Sequence, residues 1–486
     1  MEQFSIPGTE SIPLPTSFYV AASLLGILTL EAIRKWRRLS GMFALVSYFM
    51  VFLWYLVDFR YSAEQYKDVP AEDIELAFWQ VCLFLVAFRF FLQMTKSKDR
   101  EVTGMTAEIL TAKIPIRKMV AAVAILWAIL FIWGLVRMEG DIIKTLYPVG
   151  GRWSPHMWAR GAIGGTWDWL ISLGNYLYIF ICGLMGLLFV LTKDRVSRAQ
   201  LLILMVTSWP YFFLLGTRNQ LLAVVCPGLF AYLLLSPIKM WKKAVVGAAS
   251  LAVLNYAMLA MLQFRHVGFN EFIKDPFGSV NTEGKHEGLN MIQELSFING
   301  FIRTGQLQPE YGKEYIAQAL NGIPRAIWPN KPTLSFAYST LRGHGTSEGL
   351  VNATISTGLI GQGVINFGSA IGPVIASMLL AIYGYFLMAQ WTFNSHPLRF
   401  FLFIMGLALV PNLGREFTLL VLWPVVFGAV VLRIMERFIP ALIPFGKPEI
   451  TGIQTTVSRP DSTQHRLSGN LSRPVHPSGR LPFRQS

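Results

Sequence analysis

Residues 18–38 read FYVAASLLGILTLEAIRKWRR, and this stretch decides the fold class. From Phe18 to Ile33 the only charge is Glu31, and then Arg34, Lys35, Arg37 and Arg38 follow within five residues. At about 1.5 Å per residue, such an apolar run wound as a helix covers most of a hydrocarbon layer about 30 Å thick. The segment before it carries Glu2 and Glu10 but no Lys or Arg. Basic clusters stay on the cytoplasmic side of a bilayer, so the N-terminus is expected outside and Arg34–Arg38 inside.

The pattern repeats along the chain. Apolar blocks at 18–33, 41–57, 76–94, 119–136, 169–191, 201–215, 220–236, 244–262, 370–390, 400–413 and 417–432 predict about eleven spans. Alternation then puts three basic groups inside: Lys96 to Lys118, Lys193 to Arg198, and Lys239 to Lys243. All fall on that side, the acidic loop Asp58 to Glu75 falls outside, and the odd count leaves Arg433, Arg437 and the C-terminus in the cytoplasm. Composition agrees, since 53% of the 486 residues are hydrophobic and 14% charged, against about 25% charged in soluble domains. The mean hydropathy is +0.46. The net charge of +14 then belongs to membrane orientation, and no nucleic-acid partner is expected. The predicted fold is an all-α, multi-pass integral membrane protein whose immediate surroundings are membrane lipid.

Cys82, Cys182 and Cys226 lie far apart inside apolar segments, which implies neither a disulfide framework nor a zinc site. Met1 to Ser17 has no basic n-region and reads as mature chain. Four parts are expected: spans over 1–262, a large outer loop over 263–352, three further spans over 353–446, and a tail over 447–486. The tail, rich in Ser, Pro, Thr, Gln and Arg, is too poor in apolar clusters to offset the entropy of folding. In the loop, Tyr311 to Leu320 predicts a short helix stopped by Asn321-Gly322, and Ile323 to Pro332 (IPRAIWPNKP) predicts a rigid aromatic turn. The loop is expected to lie on the membrane as a lid.

Two outer turns carry arginine: Arg218 in Leu215-Gly216-Thr217-Arg218-Asn219-Gln220, after a span interrupted by Pro210, and Arg415 in Pro411-Asn412-Leu413-Gly414-Arg415-Glu416. Broken spans meeting at one depth mark binding sites, because freed backbone groups are tolerated only where a polar cavity is lined. Arg265 ends the span before the loop, and Arg325 lies within it. Four guanidiniums on one face suit an anion such as a diphosphate, whose oxygens match the fork bidentately. The competing reading is that each arginine snorkels to the interface.

Possible bases in the loop are His266, His286 and His344, with Glu287, Glu294, Glu310, Glu314 and Glu348. For each, a solvated surface position is the simpler reading. Glu348 stands out because it lies near the point where the chain returns to the membrane. The spacing matches no zinc motif, and no metal is expected. Asp73-Ile74-Glu75 is an outward D-x-E triplet, but Pro70 followed by acidic residues also describes a helix N-terminus, and that reading is preferred. There is no GxxxxGK[ST] and no G-x-S-x-G. Glu31 and Arg89 are the clearest charges inside spans, fewer than a proton-coupled transporter would need.

Tyr311-Gly312-Lys313-Glu314-Tyr315, Ile323-Pro324-Arg325, Trp328-Pro329-Asn330-Lys331-Pro332 and GLIGQGVINFG over 358–368 together resemble the Wzy-type polymerases of O-antigen and exopolysaccharide repeat units. Gly216-Thr217-Arg218-Asn219 is similar to the Gly-Ser-Arg turn of that group, and the likeness runs from about Trp209 to Arg415. The resemblance implies a GT-C-like, metal-independent glycosyltransferase of the bacterial inner membrane, with its N-terminus periplasmic and its C-terminus cytoplasmic. It would need no cofactor and would join undecaprenyl-diphosphate-linked oligosaccharides at the periplasmic face, alongside a flippase and a chain-length regulator. It also implies roles in diphosphate binding for Arg218, Arg265, Arg325 and Arg415. One departure concerns the base: the histidines that related O-antigen ligases carry where the loop returns are replaced by Asn352-Ala353-Thr354. The base is therefore assigned to Glu348, with His344 and His266 behind it. The rival classes are a lipid-linked glycan flippase or transporter, an O-antigen ligase, and an assembly scaffold.

Overall fold

The computed structural model of the protein describes residues 14–57, 59, 66, 69–111, 115–150, 154–159, 168–264, 268–274, 290–320, 323, 327–328, 336–344, 355–393 and 397–438. Arg265, His266, Arg325 and Glu348, and the tail expected at 447–486, lie outside these residues. Every regular element among them is helical, and the one extended pairing is an isolated bridge between Arg38 and Glu101.

The helices that matter here are α1 (Thr16–Arg34), α2 (Leu39–Val51, continued as a π-helix to Val57), α3 (Ala71–Met94), α4 (Ile116–Arg137), α5 (Asp168–Leu191), α6 (Arg195–Leu214), α7 (Arg218–Leu235), α8 (Met240–Phe264), α9 (Met291–Arg303), α10 (Lys313–Ala319), α11 (Leu359–Phe393), α12 (Pro397–Leu413) and α13 (Leu419–Phe438). Among the described residues seven of these, α1 to α5, α7 and α11, are long and apolar enough to cross a membrane. The chain is thus an α-helical membrane protein. The four other positions expected as spans are also helical, in α6, α8, α12 and α13; α12 and the apolar part of α13, Pro424–Ile434, are short.

Packing follows membrane rules, in which small residues let helices approach closely. A Cβ on Gly228 of α7 would come within 3.0 Å of Gly186 on α5. The Trp209 indole of α6 closes the same seam by donating to the Cys182 carbonyl at 3.2 Å. α3 runs from an acidic first turn behind Pro70, with Glu72 and Asp73, which is the helix start that the sequence favoured.

Two features depart from the sequence reading. First, the loop expected as a surface lid contributes a buried helix. α9 packs against α3, the π-helical end of α2 and α11, with Met291, Ile292, Glu294, Leu295 and Ile298 all at 0% exposure. Second, α11 is broken at Gly368, where φ is +78°. A Cβ at Gly363 would run into the Gly372 carbonyl, and one at Gly372 into the Val364 backbone. In a straight helix nine residues span about 13 Å, so the arm 359–367 folds back on the arm from Ser369 onward. Only glycine readily adopts that φ and tolerates such contact. The sequence reading began this span at residue 370 and gave the glycine-rich stretch before it no secondary structure.

Candidate functional site

A nine-residue helical arm leaves its first N–H and last C=O groups without helical partners, and their actual partners define the site. At its start, Gly358 N–H donates to the Arg415 carbonyl (2.8 Å), Leu359 N–H to the Gly414 carbonyl (3.0 Å) and Ile360 N–H to the Tyr55 hydroxyl (3.1 Å). At its end, the Ile365 and Asn366 carbonyls accept from Glu310 N–H (3.0 Å) and Tyr311 N–H (2.8 Å). The arm therefore binds the turn after α12 to the segment that opens α10.

Side chains complete the junction. Glu314 and Gln318 stand one turn apart on α10 and share a face. Asn366 Nδ2 donates to Glu314 Oε2 at 3.2 Å, while Gln318 Nε2 donates to Glu416 Oε1 at 3.0 Å. Phe417 N–H donates to Gln362 Oε1 at 3.0 Å. Gln362 is fully buried, and its Nε2 has no partner among the described residues. A buried donor left so costs about 1–3 kcal/mol. Arg415 Nη2 donates to Ser356 Oγ at 3.0 Å, and its guanidinium carbon lies 5.9 Å from the Trp54 ring centre.

Burial and then the Glu314 charge raise the Glu416 carboxyl, against Arg415 and the Gln318 hydrogen bond, which lower it, and together they bring it from an ordinary 4.5 to about 8. Beside an arginine, the junction therefore offers a proton-holding group and a cation in one half-buried place.

A second polar layer lies along α9. Glu294, fully buried, accepts hydrogen bonds from the Tyr338 hydroxyl and from Arg342 Nη2 at 3.3 Å, and the Arg342 guanidinium covers the Phe297 ring at 4.1 Å. Burial, then the Glu294 charge, raises the Tyr338 phenol well above its ordinary value. Arg303 pairs with Asp73 at 2.9 Å, and Gln80 with Asn299 at 2.9 Å. Glu294 and Glu314, read from the sequence as solvated, are both inside. Loop residues look solvated by default, and nothing local in the sequence announces that α9 and α10 pack into the helical body.

Of the expected diphosphate ligands, Arg415 is at the junction. Arg218 is half-buried at the start of α7 and makes no hydrogen bond or ion pair among the described residues. It stands outside the hydrogen-bond network of the junction. His344 closes the short segment 336–344 that is tied to Glu294. Glu416 carried no role in the sequence reading; the signal available was its place beside Arg415. No family model, no curated protein and no solved structure matches this chain.

Proposed function

We propose that this chain is a membrane glycosyltransferase that joins polyprenyl-diphosphate-linked oligosaccharide repeat units at the outer membrane face. The observation that carries this reading is Arg415 beside the carboxyls Glu416 and Glu314, in a junction made by a folded-back arm and a loop helix. The motif resemblance of residues 209–415 supports the same class, and the GT-C-like architecture with eleven spans and an outer loop belongs to it.

The chemistry assigns one task to each kind of group. The acceptor hydroxyl oxygen attacks the anomeric carbon, and the bond from that carbon to the diphosphate oxygen breaks with its electron pair on the diphosphate. The hydroxyl proton passes to the ionised member of the Glu314–Glu416 pair. Arg415 and Arg218 offset the charge that grows on the leaving diphosphate; a fixed donor at such a position contributes about 3–4 kcal/mol. Arg218 suits this task because a half-buried guanidinium with no polar partner among the described residues attracts an anion. We assign the base to the Glu314–Glu416 pair because it lies in the junction that also holds Arg415, whereas His344 closes a different segment and Glu348 and His266 lie outside the described residues.

Deleting the gene and analysing lipid-linked glycans tests the reaction class. A polymerase loss leaves single repeat units on lipid and no long polymer. Unchanged polymer overturns the proposal, and repeat units trapped on the cytoplasmic face favour a flippase.

A further inference from the structure

At the opposite end of α3 from Asp73, about 24 Å along the helix at 1.5 Å per residue, a cavity of about 450 Å³ opens between α1, α2 and α3. Its wall combines apolar Leu28 and Leu92 with Glu31, Lys35, Arg38, Arg89 and Asp99. Glu31 is held by both neighbours: Arg89 donates twice, at 2.5 and 2.7 Å, and Lys35 once at 2.7 Å. Asp99 lies 3.5 Å from Arg38 and also accepts from Ser40 N–H at 3.0 Å. Three cations face two carboxylates, so one positive charge is left over in the cavity. The side chains of Lys35 and Arg38 are 50% and 62% exposed, which leaves both ammonium and guanidinium accessible at the rim.

The surroundings are those of a membrane edge. Ile27, Leu30 and Ile33 on α1 and Phe90 and Met94 on α3 are exposed apolar side chains. Trp36 is exposed with Arg37 against its ring at 5.7 Å, an arrangement suited to the headgroup level.

We propose that this cavity binds a phosphate group, and that its occupant is the phosphodiester headgroup of an anionic lipid whose acyl chains lie along the exposed faces of α1 and α3. One surplus positive charge matches one phosphodiester, Lys35 and Arg38 supply donors at the rim, and the apolar wall accepts the glycerol backbone and first methylenes. The site does not depend on the glycosyl-transfer reading, since it stands at the other end of α3 from the layer that includes Asp73 and Arg303.

The test uses full-length protein purified in detergent and stripped of lipid, with thermal unfolding followed as phosphatidylglycerol, phosphatidylcholine or inorganic phosphate is added. Phosphatidylglycerol should stabilise and phosphatidylcholine should not. The variant Lys35→Gln/Arg38→Gln should bind phosphatidylglycerol about twentyfold to thirtyfold more weakly, from the usual gain per basic residue at an anionic surface. If that variant does not yield folded protein, Arg38→Gln alone should weaken binding about fivefold. Inorganic phosphate that competes with the lipid supports a phosphate site filled from solution; phosphate without effect supports the lipid headgroup. Equal stabilisation by the two lipids, or unchanged binding in the variants, overturns the proposal.

Discussion

Arg218 and Arg415 each follow closely on a glycine in a turn that joins two helices, yet their surroundings differ in kind. Arg415 donates to Ser356, faces Trp54, and gives its backbone carbonyl to Gly358. Arg218 has no polar partner among the described residues, and the nearby turn contact is Thr217 Oγ1 to Gln220 Oε1 at 3.1 Å. One arginine helps to build the junction, whereas the other has no polar partner among the described residues. Spacing in sequence does not separate these roles, but contacts do, and substitutions can test the difference.

The largest effect is expected where the arm that shapes the Arg415 turn is forced open. Gly363→Val places a branched side chain against the Gly372 carbonyl, and overpacking of this sort costs about 1–3 kcal/mol or more. Folded protein recovered from membranes, followed by gel filtration, should fall sharply. A normal yield with a normal melting temperature would falsify the folded-back arm.

Arg415→Lys comes next. It keeps the charge but loses the fork, so polymer should drop by about 10²- to 10³-fold, the usual cost of removing a preorganised donor. The melting temperature should fall as well, because the contact with Ser356 goes. Arg218→Lys should instead leave melting unchanged while polymer falls about tenfold or more, as expected when a bidentate phosphate contact becomes a single one. Should both variants lose stability equally, or neither lose polymer, the two turns play the same role and the comparison collapses.

A further effect concerns pH. Glu416 titrates near 8 in the folded chain against an ordinary 4.5, so the folded state binds the extra proton between those values. Stability contributed by this group is fully present below the ordinary value, declines as pH rises toward about 8, and is lost above it. Wild-type melting temperature should therefore fall between pH 5 and pH 8. Glu416→Gln should fall less over the same interval. Parallel curves for the two proteins would mean that Glu416 is not held protonated by its surroundings.

The helices were legible because a span announces itself by length and by the cations at its end; Phe18 to Arg38 shows both. The helix start at Pro70 was legible for a similar local reason, since acidic residues near a helix N-terminus meet its dipole. The arm 359–367 was not. It is too short for a span, and its glycines serve contact with Gly372, a partner set only by the fold-back at Gly368. Nor could Glu416 be singled out, because its raised carboxyl arises from burial under α10 and from Glu314, a hundred residues away in the chain. Arg218 was singled out because a guanidinium in a tight turn beside a broken span is unusual wherever the rest of the chain goes.

The central claim is glycosyl transfer at the Arg415–Glu416 junction, and the direct measurement is polymerisation by purified protein. The full chain in lipid nanodiscs would be given a polyprenyl-diphosphate-linked repeat unit from a deletion strain, and the products resolved by size. Wild-type protein should build a ladder of increasing length while releasing polyprenyl diphosphate, and Arg415→Lys and Glu416→Gln should leave the single unit unconsumed although both bind it. A ladder of wild-type length from either variant, or no ladder from wild-type protein with verified substrate, would contradict the account.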